Sequence, residues 1–387
     1  MLDHATLQVI WWLLLGTLLI GFAIMDGFDM GVGATFRFVG RTDEERRTLL
    51  AAIEPVWDGN QVWFILGGGA VFAAWPVLYA ASFSGLYLAM FLLLLALILR
   101  PVGFMFRNRV PDPRWRDAWD WALTAGGGVP ALLFGVAFGN LFLGLPFHFD
   151  ELQRPLYTGS FFGLLRPFAL LSGVVSLSML VMHGSTYAAL KVGEPMAFRA
   201  TQVGRFAAAV FVVVYIIAGV WASHALEGQY LGGPDAVPDT APLDAVLDML
   251  KTTSPQVVHH PGGWLHNFRH HPALWLAPSG TLLAAILTWS LLSIARPGLA
   301  FITSSLVQAG TILTAGIALF PFLMPSATDP QQGLTVWNAS SSARTLQIML
   351  IAVIVFLPMV LAYTGWVFRV LRGRITLEEI RRHAGWY

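Results

Sequence analysis

The sequence predicts an all-α integral membrane protein of about nine transmembrane helices, arranged as two four-helix bundles plus one peripheral helix. Three observations carry that prediction. Hydrophobic residues make up 56% of the 387 and charged residues 12%, where a soluble domain would carry about 25% charged. Apolar runs of about 20 residues recur along the whole length, enough for a helix to cross the hydrocarbon core of a bilayer. Lys and Arg gather on alternate connections between those runs, which marks one side of the membrane as the basic one. The chain has no cysteine, so disulfides and thiolate metal sites are excluded. A net charge of +1 gives no reason to expect a nucleic-acid partner.

Windows of apolar residues bounded by charges or turns place the spans at 8–36, 49–79, 81–99, 118–143, 163–190, 203–226, 273–295, 299–323 and 345–368. The first lacks the basic n-region and small-residue cleavage site of a signal peptide, so it is expected to be a retained helix. The second and third are separated only by "YAASFSG". Of the 23 Lys and Arg residues, one side of the membrane takes Arg154, Arg166, Lys251, Arg269 and Arg344, and the other takes all the rest. The basic side is expected to be cytoplasmic, with the N-terminus and the loop 227–271 outside and the tail 369–387 inside. Trp11, Trp12, Trp121, Trp264 and Trp366 near the ends of apolar runs read as an interfacial belt. "LILRPVGF" at 97–104 resembles "SIARPGLAF" at 293–301, and "GVAFGNLFLGLPF" at 135–147 resembles "GIALFPFLMP" at 316–325. This weak repeat divides a single membrane domain, 1–387, into bundles at 8–143 and 163–323, with a ninth helix at 345–368.

The chemistry is expected where carboxylates enter the apolar runs. Such residues cost roughly 2.5–3.5 kcal/mol each on insertion scales. Asp26 and Asp29, in "IMDGFDMGVG", are three apart and share a helix face, while Gly27, Gly31 and Gly33 allow a neighbouring backbone to come close. In "IEPVWDGNQVW", Glu54, Asp58 and Gln61 fall at i, i+4 and i+7 and would line one face of a continuous helix. Asp26 and Asp58 each lie about 16 Å along a helix from the nearest basic flank, so the two sites reach similar depth and could meet. They would form a proton relay or an ion-coupling site; the other reading is a hydrogen-bonded helix clamp. Among the ten histidines, His259, His260, His266, His270 and His271 lie in the outer loop without a metal-ligand spacing. Only His183 falls within a span, and it reads as a hydrogen-bonded interfacial residue. No paired haem ligands are evident. The glycine-rich "LGGGAVFAA" at 66–74 has no strand before it, so it reads as helix packing and not as a phosphate loop.

"IWWLLLGTLLIGFAIMDGFDMGVG", "WDGNQVWFILGGGAVFAAWPVLYAASFSG", "RPVGF", "WRDAWDWAL", "GVAFGN", "TAGIALFPFLMPS" and "RITLEEI" closely resemble subunit II of cytochrome bd-type quinol oxidases over nearly the whole chain. The loop 227–271 matches least. The resemblance implies a non-haem subunit of a bacterial terminal oxidase in the inner membrane. Such an enzyme oxidises quinol, reduces dioxygen to water and takes protons from the cytoplasm. The partners so implied are a subunit I holding haem b and haem d, the quinol, membrane lipids and small accessory subunits. By motif, Asp58 and then Asp26 are the proton-route candidates, with Asp29 beside them. Trp57, Asn60 and Trp63 would contact a structural quinone, which some family members hold in this subunit. Glu54 has no counterpart in the motif. Composition and topology alone also accommodate a proton-coupled secondary transporter built from two repeats, or a purely structural scaffold.

Overall fold

The computed structural model describes residues 2–232, 256–376 and Glu378. The centre of the outer loop with Lys251, and nearly all of the tail beyond Thr376, lie outside these residues. Among the described residues, eight helices are long and apolar enough to cross a membrane, and nine if one sharply bent pair is counted as a span.

The chain opens with α1 (His4–Val39), capped by the Asp3 carboxylate on the Thr6 amide. The expected second span is three helices. Residues 49–53 belong to α2 (Asp43–Ile53), a short polar helix with a capping box between Thr42 and Glu45. The span itself, α3 (Trp57–Ala74), begins only after Pro55, which cannot donate an amide to continue the helix. At Trp75, directly before Pro76, φ −134° and ψ 71° leave the helical region, as a residue preceding proline tends to do. There the chain bends by 118° into α4 (Pro76–Gly85). The return span is α5 (Tyr87–Phe106), shifted past the expected 81–99.

The remaining spans lie close to expectation: α6 (Pro113–Leu143), α7 (Pro167–Lys191) and α8 (Met196–His224). A five-residue α9 (His266–His270) precedes α10 (Leu276–Ser293), α11 (Pro297–Leu319) and α12 (Ala343–Val370). Helix α1 packs against α3, α6, α7 and α11, and α7 also packs against α6, α8 and α11. These two helices therefore form the centre of the molecule, while α12 lies at its edge with Leu346 its one buried residue.

Glycine sets the closest crossings. A Cβ on Gly31 of α1 would lie 2.0 Å from the Leu180 carbonyl oxygen of α7, and one on Gly184 of α7 would lie 2.4 Å from the Gly31 backbone. On the other flank, a Cβ on Gly127 of α6 would come within 2.5 Å of the Met30 carbonyl. Helix α1 is thus clasped between two backbones, which only glycine permits.

At the end opposite the arginine-rich connections, strands β1 (Phe147–Phe149) and β2 (Pro155–Tyr157) pair, as do β3 (Glu227–Gly232) and β4 (Gln256–Pro261), and β5 (Phe322–Met324) and β6 (Leu334–Thr335). The described flanks of the outer loop thus form an antiparallel pair, and Gln229 of β3 donates to the Ser326 carbonyl. Two of the expected belt tryptophans also turn inward. Trp11 donates to the Leu346 carbonyl and Trp264 to the Phe142 carbonyl, both buried, whereas Trp121 and Trp366 are exposed.

Candidate functional site

Beside the α1–α7 crossing, the two carboxylates of α1 are fully buried. Arg100 of α5, only 2% exposed, places Nη2 at 2.8 and 3.0 Å from the two Asp26 oxygens. Asn60 of α3 donates to Asp29 Oδ2 at 2.8 Å. Asp29 Oδ1 and Arg100 Nε and Nη1 have no hydrogen-bond partner among the described residues. Asp29 and Arg100 both line a void of about 10 Å³ walled by Gly33, Phe36, Leu50, Ile53, Phe104 and Leu123. That is close to the space one water needs, and a water with several polar partners is stable in such a place. The cluster holds two carboxyls against one guanidinium, so a single bound proton makes it neutral. It has the composition of a site that takes up and releases one proton in a low-dielectric interior.

Asp58 does not join this cluster. The side chains of α3 that face inward are Asn60, Trp63, Gly67, Ala70 and Ala74, and Asp58 is exposed on the opposite face with Gly59, Val62 and Ile65. Glu54 is exposed too, but it lies outside α3 because of the break at Pro55. The expected alignment of Glu54, Asp58 and Gln61 on one helix is therefore corrected, as is the meeting of Asp58 with Asp26.

A second polar layer lies toward the arginine-rich end. Asp120 of α6, fully buried, accepts from Arg107 Nε at 2.5 Å and from Arg46 Nη1 at 2.7 Å, and Arg107 continues to Asp43 at 2.9 Å. These bonds tie α2 to α5 and α6, so α2 lies over the void. Arg199 of α8 secures α2 from the other side through Glu45. Burial alone would push the Glu45 carboxyl up. Hydrogen bonds from Arg199 and from the Arg41 and Thr42 amides outweigh it and hold Glu45 below the ordinary glutamate value of 4.5. The stabilisation from this depressed group is therefore complete above that value and lost as pH falls through the lowered one. Glu45→Gln should lower the thermal midpoint at pH 7 and make little difference at a pH below that lowered value. An equal loss at both pH values would exclude the ionic tie.

His183 lies deeper than an interfacial residue: it is fully buried among α1, α7 and α11. Its Nδ1 lies 2.7 Å from Ser304 Oγ, its Nε2 2.9 Å from the Ile24 carbonyl, and its ring stacks on Phe301 at 4.7 Å. With both ring nitrogens occupied, it serves as a clamp on α1.

A cavity of about 490 Å³ is walled by α1, α6, α7, α8 and α11, with Trp264 and Phe268 at one end. Its walls are almost entirely apolar and include no charged residue. This size and character suit a small hydrophobic ligand. None of Trp57, Asn60 and Trp63 lines it. Asn60 is held by Asp29, Trp63 packs over Gly21, and Trp57 lies against Phe104 at 5.5 Å.

Sequence reasoning missed Arg100, which at the end of an apolar run looks like a flanking charge, and the buried Arg107–Asp120 pair. The available signal was imbalance: two acids in the first span require a donor, and an arginine directly before Pro101 in an otherwise unbroken apolar run was a candidate.

Fold and site together define a polytopic helical membrane subunit whose polar interior is a carboxylate–guanidinium cluster next to a ligand-sized apolar cavity. The family model for cytochrome bd terminal oxidase subunit II matches residues 7–371. The chain is 46% identical over 386 residues to cytochrome bd-I ubiquinol oxidase subunit 2 of Escherichia coli K12, covering 99% of each. It is 31% identical to cytochrome bd ubiquinol oxidase subunit 2 of Bacillus subtilis, covering 97% of this chain and 98% of that one. A structure of bd oxidase from Geobacillus thermodenitrificans shares the fold, with a TM-score of 0.68 at 15% identity over 94% of this chain and 98% of that one. The chain belongs to the cytochrome bd terminal oxidase subunit II family.

Proposed function

We propose that this chain is the non-haem subunit of a bd-type quinol oxidase, paired with a subunit I that holds the haems, and that it supports proton uptake for the reduction of dioxygen to water. Full-length similarity to subunit 2 of the Escherichia coli ubiquinol oxidase carries the reading and leaves the transporter alternative without support. The arginine-rich end faces the cytoplasm and the N-terminus the periplasm. Asp58 lies on an exposed, otherwise apolar face of α3. A carboxylate facing lipid is costly, so this face suits cover by the haem-bearing subunit, with Asp58 passing protons across the junction. Asp26, Asp29 and Arg100 form a separate internal proton site. The apolar cavity holds the structural quinone, because it is roomy, uncharged and lined by a few hydroxyls.

Asp58→Asn in the assembled complex is expected to slow quinol-driven oxygen consumption by at least about tenfold, since a carboxamide cannot relay a proton. The haem absorption should stay intact, and Asp58→Glu should restore much of the rate. Unchanged turnover would leave Asp58 a structural residue, and loss of haem would make it an assembly contact.

A further inference from the structure

We propose that Arg205 of α8, stacked on Trp289 of α10, is the head-group anchor for an anionic phospholipid in the leaflet at the arginine-rich end, with its guanidinium binding the lipid phosphate. Helices α8, α10 and α11 contain no Asp or Glu between them. Arg199, near the start of α8, reaches across to Glu45 of α2. Arg37, Arg46, Arg100 and Arg107 each meet an aspartate. Arg205 forms no ion pair among the described residues, and its Nε is buried without a hydrogen bond. Its guanidinium carbon lies 4.9 Å from the centre of the Trp289 ring. That contact holds the group in place but supplies no counter-ion.

Depth makes this lack of an anion matter. Arg205 stands nine residues beyond Met196, where α8 begins, which is roughly 14 Å along the helix. It therefore sits within the spanning helix and not in the aqueous connection before it. Phe206, Ile286 and Trp289 are exposed on the same two helices, an apolar surface suited to acyl chains. A guanidinium on such a surface is costly unless an anion joins it. A lipid phosphate lies at the border of head groups and chains, and it accepts paired N–H bonds from a guanidinium. Arg296, exposed on the link between α10 and α11, also has no ion pair among the described residues. Two cations without an acid favour a lipid of net negative charge over a zwitterionic one, as in other basic sites between helices at this side of a membrane. A carboxylate of the haem-bearing subunit is the poorer occupant. The face suited to that subunit belongs to α3, which packs on α1 and α4, whereas α8 packs on α7 and α10.

The test uses the purified two-subunit complex. Anionic phospholipid per haem is measured after extensive detergent washing for the wild type, Arg205→Gln, Arg205→Lys and Arg109→Gln, which removes an exposed arginine at the same end. Arg205→Gln should retain at least about fivefold less than the wild type, since its amide keeps hydrogen bonding but loses the charge assistance. Arg205→Lys should recover much of the lipid, Arg109→Gln should match the wild type, and haem per protein should be unchanged throughout. Thermal midpoints of the washed wild type are then read with added phosphatidylglycerol, phosphatidylcholine or inorganic phosphate. Phosphatidylglycerol alone should raise the midpoint, and the rise should be absent in Arg205→Gln. Equal retention in Arg205→Gln and the wild type would overturn the site. So would an Arg205→Lys complex as depleted as Arg205→Gln, because the effect would then belong to packing on Trp289. An equal rise with phosphatidylcholine would overturn the preference for an anionic lipid, and a rise with inorganic phosphate alone would make the ligand a soluble anion. Loss of haem in Arg205→Gln would replace the lipid by a contact with the partner subunit.

Discussion

Arg100→Leu is expected to cost the complex roughly 3–5 kcal/mol and most of its yield, because it leaves Asp26 as a buried charge without a counter-ion. Asp26 is fully buried, and Arg100 Nη2 contacts both of its oxygens. The size of the effect comes from stranding the partner, not from the net worth of the pair. Removing both charges together should therefore be far milder, since a buried ion pair replaced by apolar side chains is often close to neutral in stability. The measurement is the thermal midpoint and haem content of the detergent-purified complex for Arg100→Leu, Asp26→Leu and the double variant. A double variant as unstable as Arg100→Leu would contradict the ion-pair account. The double variant also isolates function: if it assembles, any remaining loss of turnover belongs to proton chemistry.

Gly31→Ala is the second large effect. One added methyl would lie 2.0 Å from the Leu180 carbonyl oxygen and 2.9 Å from the Gly184 backbone. Neither atom belongs to a side chain that can turn away, so α1 and α7 must separate. Overpacking typically costs about 1–3 kcal/mol, and a backbone contact belongs at or above the upper end of that range. The displacement would also pull on the Asn60–Asp29 bond, since Asp29 is two residues from Gly31 on the same helix. Gly16→Ala, on the same helix with nothing within 4 Å of the new methyl, is the control and should be neutral. Equal yields and thermal midpoints for the two variants would refute the close crossing.

Much of this was legible in the sequence because a bilayer leaves few options. Backbone polar groups must be satisfied within each span, so long apolar runs can only be helices. Seven of the nine expected spans correspond to single helices of similar extent, and the third is displaced from 81–99 onto α5. The largest departure was the second, where Pro55 and Pro76 divide one apolar stretch into α2, α3 and α4. Hydropathy averages over such breaks, while proline acts at a single peptide. The same break explains the misplaced face of α3: counting from Glu54 set a phase for a helix that starts only at Trp57.

By itself, the sequence determined that the chain is a helical membrane protein, which end is basic, and that Asp26, Asp29 and the glycines around them share a short stretch of the first span. Those properties depend on composition and on spacing within one helix. Only the tertiary structure decided which donors serve the two acids. Arg100 is 74 residues from Asp26 and Asn60 is 31 from Asp29, and nothing local links them. It also turned Asp58 outward and Asn60 inward, because the rotation of α3 is set by packing against α1. The cavity too exists only once α7 and α11 have taken their register. Periodicity fixes which residues share a face of one helix; which helix that face meets is settled by packing between segments far apart in the chain.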